Sequence, residues 1–173
     1  DSYNPNTLLA DWDQLIAQEN TSGQLLNRAT QGLYPPGSTF KVVTALEYMK
    51  EHPDNYRDYT FDCSGIYRNG EYAIKCYHET AHGHQNFQQA FANSCNGAFA
   101  NLGLSLNLTN LKSTADQLLF NSSLDLPVAY SRSSYSMASG ADTWQILQTS
   151  IGQGQTQITP IHNAMITSAI AVS

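Results

Sequence analysis

Apolar residues recur at helical spacing along most of this chain, and one short stretch breaks the habit. From Ser38 the positions Phe40, Val42, Val43, Ala45, Leu46 and Met49 follow a helical period, which predicts a helix that His52-Pro53 stops. Pro35, Pro36 and Gly37 fix the approach, so Ser38 is expected at or near the first turn. Asn86 reads as the N-cap of "FQQAFAN", a second run "GAFANLGL" follows Asn96, and Thr109 reads as the cap of "NLKSTADQLL". "DTWQILQTS" is helical and ends at the glycines of "IGQGQ", while Thr159 and Pro160 open a last helix with cap and N1 proline in order. The stretch before residue 34 is polar and irregular, with one or two helical turns around Asp11 to Gln18. About four or five helices and one hairpin are expected, a mainly α chain.

Residues 63 to 76, "CSGIYRNGEYAIKC", form the interruption. Asn69-Gly70 is the strongest short hairpin signal, because a type I′ turn needs two positive φ values. With those residues as the turn, Arg68 faces Glu71, Tyr67 faces Tyr72 and Cys63 faces Cys76. The cysteine pair then occupies a non-hydrogen-bonded position, where Cα atoms lie about 4.5 Å apart, the short end of disulfide geometry. Cys63 and Cys76 can be a metal pair, buried thiols or a disulfide. No second cysteine pair completes a zinc ribbon, and the register favours the disulfide, leaving Cys95 as an unpaired thiol with a packing role.

Composition removes several function classes. Fourteen acidic residues against eight basic ones, a formal charge of −6 with no Lys/Arg cluster, argue against a nucleic-acid partner. No run approaches the roughly 20 apolar residues of a membrane span, and "DSYNPNTLLADWDQ" is too acidic and polar for a signal peptide. A membrane anchor, if the protein has one, is expected outside this chain.

The chemistry centres on Ser38 and Lys41. At i and i+3 on a helix the two side chains share a face, so an amine can reach the hydroxyl. Serine needs a base to become a nucleophile, and lysine serves as one when burial among apolar neighbours lowers its pKa. A helix start also favours an oxyanion on a bound substrate. Ser-x-x-Lys alone is too common to decide anything, since an N-cap serine and a surface lysine produce it equally.

The wider context is more specific. "NRATQGLYPPGSTFKVVTALEYM" resembles the active-site segment of penicillin-binding proteins, whose signature joins Ser-x-x-Lys to a Ser-x-Asn and a Lys-Thr-Gly. "FANSCNGAFANLG" supplies the second element as Ser94-Cys95-Asn96, and "SYNPN" and "SIGQGQTQITPIHNA" also resemble segments of this family, in order. The resemblance runs over essentially the whole chain. It implies Ser38 as the acylated nucleophile, Lys41 as general base, Ser94 as a proton relay to the leaving amine, and Asn96 as a hydrogen-bond partner of the substrate peptide. Without it, Ser94 and Asn96 would read as an interhelical turn.

The resemblance further implies a class B D-alanyl-D-alanine transpeptidase on the extracytoplasmic face of the bacterial membrane. Its partners would be peptidoglycan stem peptides and β-lactam antibiotics, with no metal or organic cofactor. No lysine among Lys41, Lys50, Lys75 and Lys112 precedes Thr-Gly or Ser-Gly, and in the family that triad lies on a strand beyond the "GQG" segment. Residues 1–173 are therefore expected to be a single partial domain: the helical portion of the α+β penicillin-binding-protein/β-lactamase-like fold, with one hairpin and the core sheet largely absent. Loss of an oxyanion donor typically costs about 100- to 1000-fold, so the isolated chain is expected to be nearly inactive. Helix faces that would cover the sheet predict self-association.

Three rivals remain at this stage. A serine β-lactamase or β-lactam sensor shares Ser-x-x-Lys, and a scaffolding domain could keep the fold without the reaction. "HETAH", residues 78–82, matches the His-Glu-x-x-His zinc motif. Gly83 and the absence of an apolar stripe argue against a helix there; the expectation is a loop, with His82-Gly83 matching a pair common in the family.

Overall fold

A computed structural model describes residues 3–172. Helix α1 (Leu8–Ser22) comes first, longer than the turn or two expected. Its apolar signal is weak because Leu15 is buried while Leu9, Trp12 and Ile16 are exposed. A 3-10 turn, Gly37–Phe40, runs directly into α2 (Lys41–Glu51), so the expected helix divides at the lysine. Four short strands follow: β1 (Thr60–Cys63), β2 (Ile66–Asn69), β3 (Tyr72–Lys75) and β4 (Gly83–Asn86). The rest is helical: α3 (Phe87–Ala92), α4 (Asn96–Ser105), α5 (Leu108–Gln117), α6 (Thr143–Ser150) and α7 (Pro160–Ala171).

Local chemistry sets most helix starts. The Asn86 side chain accepts from the Gln89 N–H while Gln89 accepts from Asn86, a reciprocal box, and Asp142 with Gln145 repeats it on α6. Thr159 caps α7 as expected, with Pro160 following. The cap of α5 is Asn107, not Thr109, because the Asn107 carboxamide reaches the N–H groups of both Thr109 and Asn110.

The strands pair as two separate antiparallel ribbons, β1 with β4 and β2 with β3. In the hairpin Asn69 opposes Tyr72 and Ile66 opposes Lys75, so the two central turn residues are Gly70 and Glu71. Of these Gly70 alone has a positive φ, 58°, which is the type II′ requirement rather than the expected type I′. The slip of two positions leaves every side chain on its expected face. It does move the cysteines apart in register: Cys63 belongs to β1 and opposes Gly83. Gly65, at φ 93°, breaks the chain between the ribbons, where a Cβ would collide with the Glu79 carbonyl.

Helix α4 is the centre of the fold, with Gly97, Ala98, Phe99, Ala100, Leu102 and Gly103 all buried. A helix apolar on every side belongs inside a core. Gly103 lets α6 lie directly against it, since a Cβ there would overlap Ser150 Oγ. Ser150 is tied in turn to α2, its carbonyl accepting from Thr44 Oγ1 at 2.9 Å. On the other flank of α2, Phe40 packs edge-on to Phe120 and stacks on Tyr135, each with centroids 5.9 Å apart. Helix α6 thus ties α2 to α4, while the aromatic contacts fix the turn that leads into α2. Among the described residues no helix is long and apolar enough to cross a membrane.

Candidate active site

The turn that carries Ser38 is clamped from both sides. Tyr34 and Ile158 exchange backbone hydrogen bonds of 3.0 and 2.8 Å, and the Gly37 N–H donates to the Gly152 carbonyl at 2.8 Å. Gly152 has φ 77°, and a Cβ on it would overlap the Gly37 carbonyl. Both features demand glycine. Ser38 is left exposed at the top of the turn, while Lys41, one turn below, is 2% exposed.

Ser94 arrives from the opposite side. The chain leaving α3 turns sharply, with Ser94 at φ 50°, before Cys95 caps α4 by accepting from the Ala98 N–H. A left-handed serine is uncommon, and such conformations gather at functional sites. The expected reading of this segment as an interhelical turn is correct as geometry, and the turn points both flanking side chains at Lys41.

Four oxygens surround the Lys41 amine. Ser38 Oγ lies 3.1 Å away, Ser94 Oγ 2.9 Å, the Ser94 carbonyl 2.6 Å and Asn96 Oδ1 2.6 Å. An ammonium has three hydrogens and cannot serve all four oxygens equally. In the neutral form two N–H groups suffice for the nearest oxygens, the Ser94 carbonyl and Asn96 Oδ1, and the lone pair is free for one of the two hydroxyls. Burial pushes Lys41 the same way, down to about 8, against the upward pull of the Cys95 and Cys76 thiols. Asn96 is oriented by its other end, Nδ2 donating to the Lys75 carbonyl at 2.8 Å. The Lys75 carbonyl and the Gly37–Gly152 clamp are site features that the sequence reading missed. A glycine following an apolar helix end, as at Ile151-Gly152, was the available signal for the clamp.

Above these groups opens a cavity of about 490 Å³, lined by Ser38, Ser94, Asn96, Tyr77 and Gln153 among others. A larger apolar groove between α2 and α3, lined by Val42, Leu46, Met49 and Phe87, lacks Ser38 and Lys41 and is not part of this chemistry.

The His-Glu-x-x-His segment does not form a helix. His78 and Glu79 both have positive φ, 52° and 55°, so the two imidazoles do not share a helical face. Glu79 is paired to Lys75 at 2.6 Å and His84 to Asp62 at 2.8 Å. His82 turns inward instead, with Nδ1 3.3 Å from Cys63 Sγ. Cys63 and Cys76 are separate thiols 3.7 Å apart, so the disulfide expected from the hairpin register is absent, Cys63 lying on a different ribbon.

The fold, and the meeting of Ser38, Lys41, Ser94 and Asn96 around one amine, agree with the family signature that the sequence resembles. The chain belongs to the penicillin binding protein transpeptidase domain family, whose sequence profile matches residues 1–172. It is 31% identical to the peptidoglycan D,D-transpeptidase PbpA of Mycolicibacterium smegmatis across 98% of its own length and 36% of that protein's. Among solved structures, a ceftriaxone acyl-enzyme complex of penicillin-binding protein A from M. tuberculosis superposes with a TM-score of 0.81 at 28% identity, covering 98% of this chain and 38% of that one. The D,D-transpeptidase domain of a peptidoglycan glycosyltransferase from Eggerthella lenta gives 0.85 at 25% identity, covering 98% and 44%. The chain thus spans well under half the length of the relatives it matches. What is present is a mostly helical part of the family's α+β fold, as expected.

Proposed function

We propose that the parent protein is a peptidoglycan D,D-transpeptidase in which Ser38 attacks the penultimate D-alanine carbonyl of a stem peptide. The Lys41 amine, poised between Ser38 Oγ at 3.1 Å and Ser94 Oγ at 2.9 Å, is the observation that carries this reading. Neutral Lys41 takes the Ser38 proton as the new ester oxygen–carbon bond forms. Ser94 then passes a proton to the departing D-alanine amine and is refilled from Lys41, so one lysine serves as base and acid source. The amine of a second stem peptide attacks the ester and frees Ser38. One Asn96 Nδ2 hydrogen is held by the Lys75 carbonyl, leaving the other for a substrate carbonyl. β-Lactams enter at the first step and stop there. On this reading the domain works outside the cytoplasmic membrane, where a peptidoglycan substrate would lie.

The test is intact mass of the parent protein before and after a penicillin, with Ser38→Ala as control. A stable penicilloyl adduct lost in the variant supports the reading. An adduct that turns over in minutes would make the protein a β-lactamase, and no adduct at all would leave it a scaffold.

A further inference from the structure

Cys63, Cys76, His82 and Cys95 bring their four ligand atoms within 4.8 Å of one another. They converge from the end of β1, the residue after β3, the loop before β4 and the cap of α4. All three cysteines are buried and His82 is half-buried. We propose that this cluster is a tetrahedral zinc site that fixes the Ser94-Cys95-Asn96 turn.

The spacing carries the assignment. Metal–sulfur bonds of about 2.3 Å in a tetrahedron separate neighbouring sulfurs by about 3.8 Å, and a metal–nitrogen bond of about 2.0 Å puts nitrogen about 3.5 Å from sulfur. The sulfurs of Cys63 and Cys76 are 3.7 Å apart, those of Cys76 and Cys95 3.8 Å, and His82 Nδ1 is 3.3 Å from Cys63 Sγ. A disulfide would use two of these sulfurs and leave the third thiol and the imidazole converging on nothing. Backbone N–H groups already point at the sulfurs, Gly65 to Cys63 at 3.4 Å and Ala98 to Cys95 at 3.5 Å, as outer-shell donors to thiolates do. Three soft sulfurs and one imidazole in a tetrahedron select zinc over magnesium or calcium. Binding would release the three thiol protons to solvent, and four protein ligands leave no open position, so the metal is structural.

Its placement gives it a role at the neighbouring site. Cys95 is the middle residue of the turn that carries Ser94 and Asn96, and Cys76 follows Lys75, whose carbonyl holds Asn96. The ribbons here are two-stranded with four residues per strand, too small to be stable alone. Zinc would fasten both to α4 and make Cys95 a positioning residue for Lys41's partners. This second part rests on the acyl-enzyme reading above; the metal site does not.

The experiment uses the full-length parent protein purified without chelator, with zinc counted by plasma mass spectrometry. About one zinc per chain is expected, lost in C63S and H82Q and retained in S38A. Because a ligand variant can fail to fold, wild-type protein reloaded with Co²⁺ gives an independent reading. Intense visible bands with sulfur-to-metal charge transfer support the site; a weak octahedral spectrum overturns it. Zinc-free protein with three freely titrating thiols, or a Cys63–Cys76 disulfide in the non-reduced mass, also overturns it. Removing zinc should slow penicillin acylation roughly tenfold or more, with recovery on zinc addition. An unchanged rate refutes the positioning role, whereas bound zinc with no Ser38 adduct in any state sinks the acyl-enzyme reading and leaves the metal site standing.

Discussion

The pH dependence of acylation follows from where Lys41 is held. Burial brings its pKa from 10.5 to about 8. At neutral pH that leaves about 10% of the amine unprotonated, against about 0.03% for a solvated lysine, a gain of about 300-fold in available base. The rate of penicilloyl-adduct formation in the parent protein should therefore rise about tenfold per pH unit below neutrality, bend near pH 8 and level off above it. Rapid-quench intact mass across that range measures it directly. Stability should move with the same proton. Between the folded and unfolded values the unfolded chain binds a proton that the folded chain does not, so stability rises with pH from about 8 to 10.5. Below that window both states are protonated and burial of the ammonium opposes folding in full, by about 3 kcal/mol. Lys41→Arg keeps a charge that cannot leave and should slow acylation by about 100- to 10,000-fold at every pH. A rate that climbs with unit slope to pH 10 would refute the lowered pKa, and an active Lys41→Arg variant would refute the base assignment.

Other perturbations probe the frame around the site. Gly152→Ala forces a Cβ into the Gly37 carbonyl at φ 77°; it should lower stability by about 1–3 kcal/mol and slow acylation, while Gly140→Ala, where a Cβ meets nothing, serves as a control with no loss in either assay. Thr114→Val removes the hydroxyl that donates to buried Glu47 and accepts from Lys50 at 2.7 Å. A loss of about 1–3 kcal/mol in urea unfolding at unchanged m-value is expected, and a loss under about 0.5 kcal/mol would show that water replaces it.

How much of this was legible depends on how far each signal reaches along the chain. Ser38 and Lys41 sit one helical turn apart, and a local period was enough to place one above the other. The caps at Asn86 and Thr159 were readable for the same reason. Thr109 reads as a cap because threonine and asparagine are both good N-caps; Asn107, two residues earlier, starts the helix first by taking the N–H groups of Thr109 and Asn110, and sequence alone does not rank the two. Helix α1 is longer than its pattern suggests because, among its residues whose burial is described, Leu15 alone is buried, so its period carries almost no amplitude. Ser94 and Asn96 had no local link to Lys41, and only the resemblance to a family brought them together.

The cysteines show the limit most clearly. Moving the turn by one residue shifts the pairing by two and would already have opposed Cys63 to a loop residue, and the break at Gly65 sends Cys63 to another ribbon altogether. Strand register relates residues two at a time along one strand pair, whereas the fold gathers four from separate segments. That gathering depends on α4 being buried on every side, since only then does the residue at its cap face inward from the turn. Cys95 therefore lies between exposed Ser94 and half-buried Asn96 yet is itself fully buried, at 0% exposure. A side chain needed for packing alone could be any small apolar residue at that position. One whose sulfur meets another thiol at 3.8 Å, while its neighbours hold the lysine, ties the packing of the cluster to the geometry of the Ser94-Cys95-Asn96 turn.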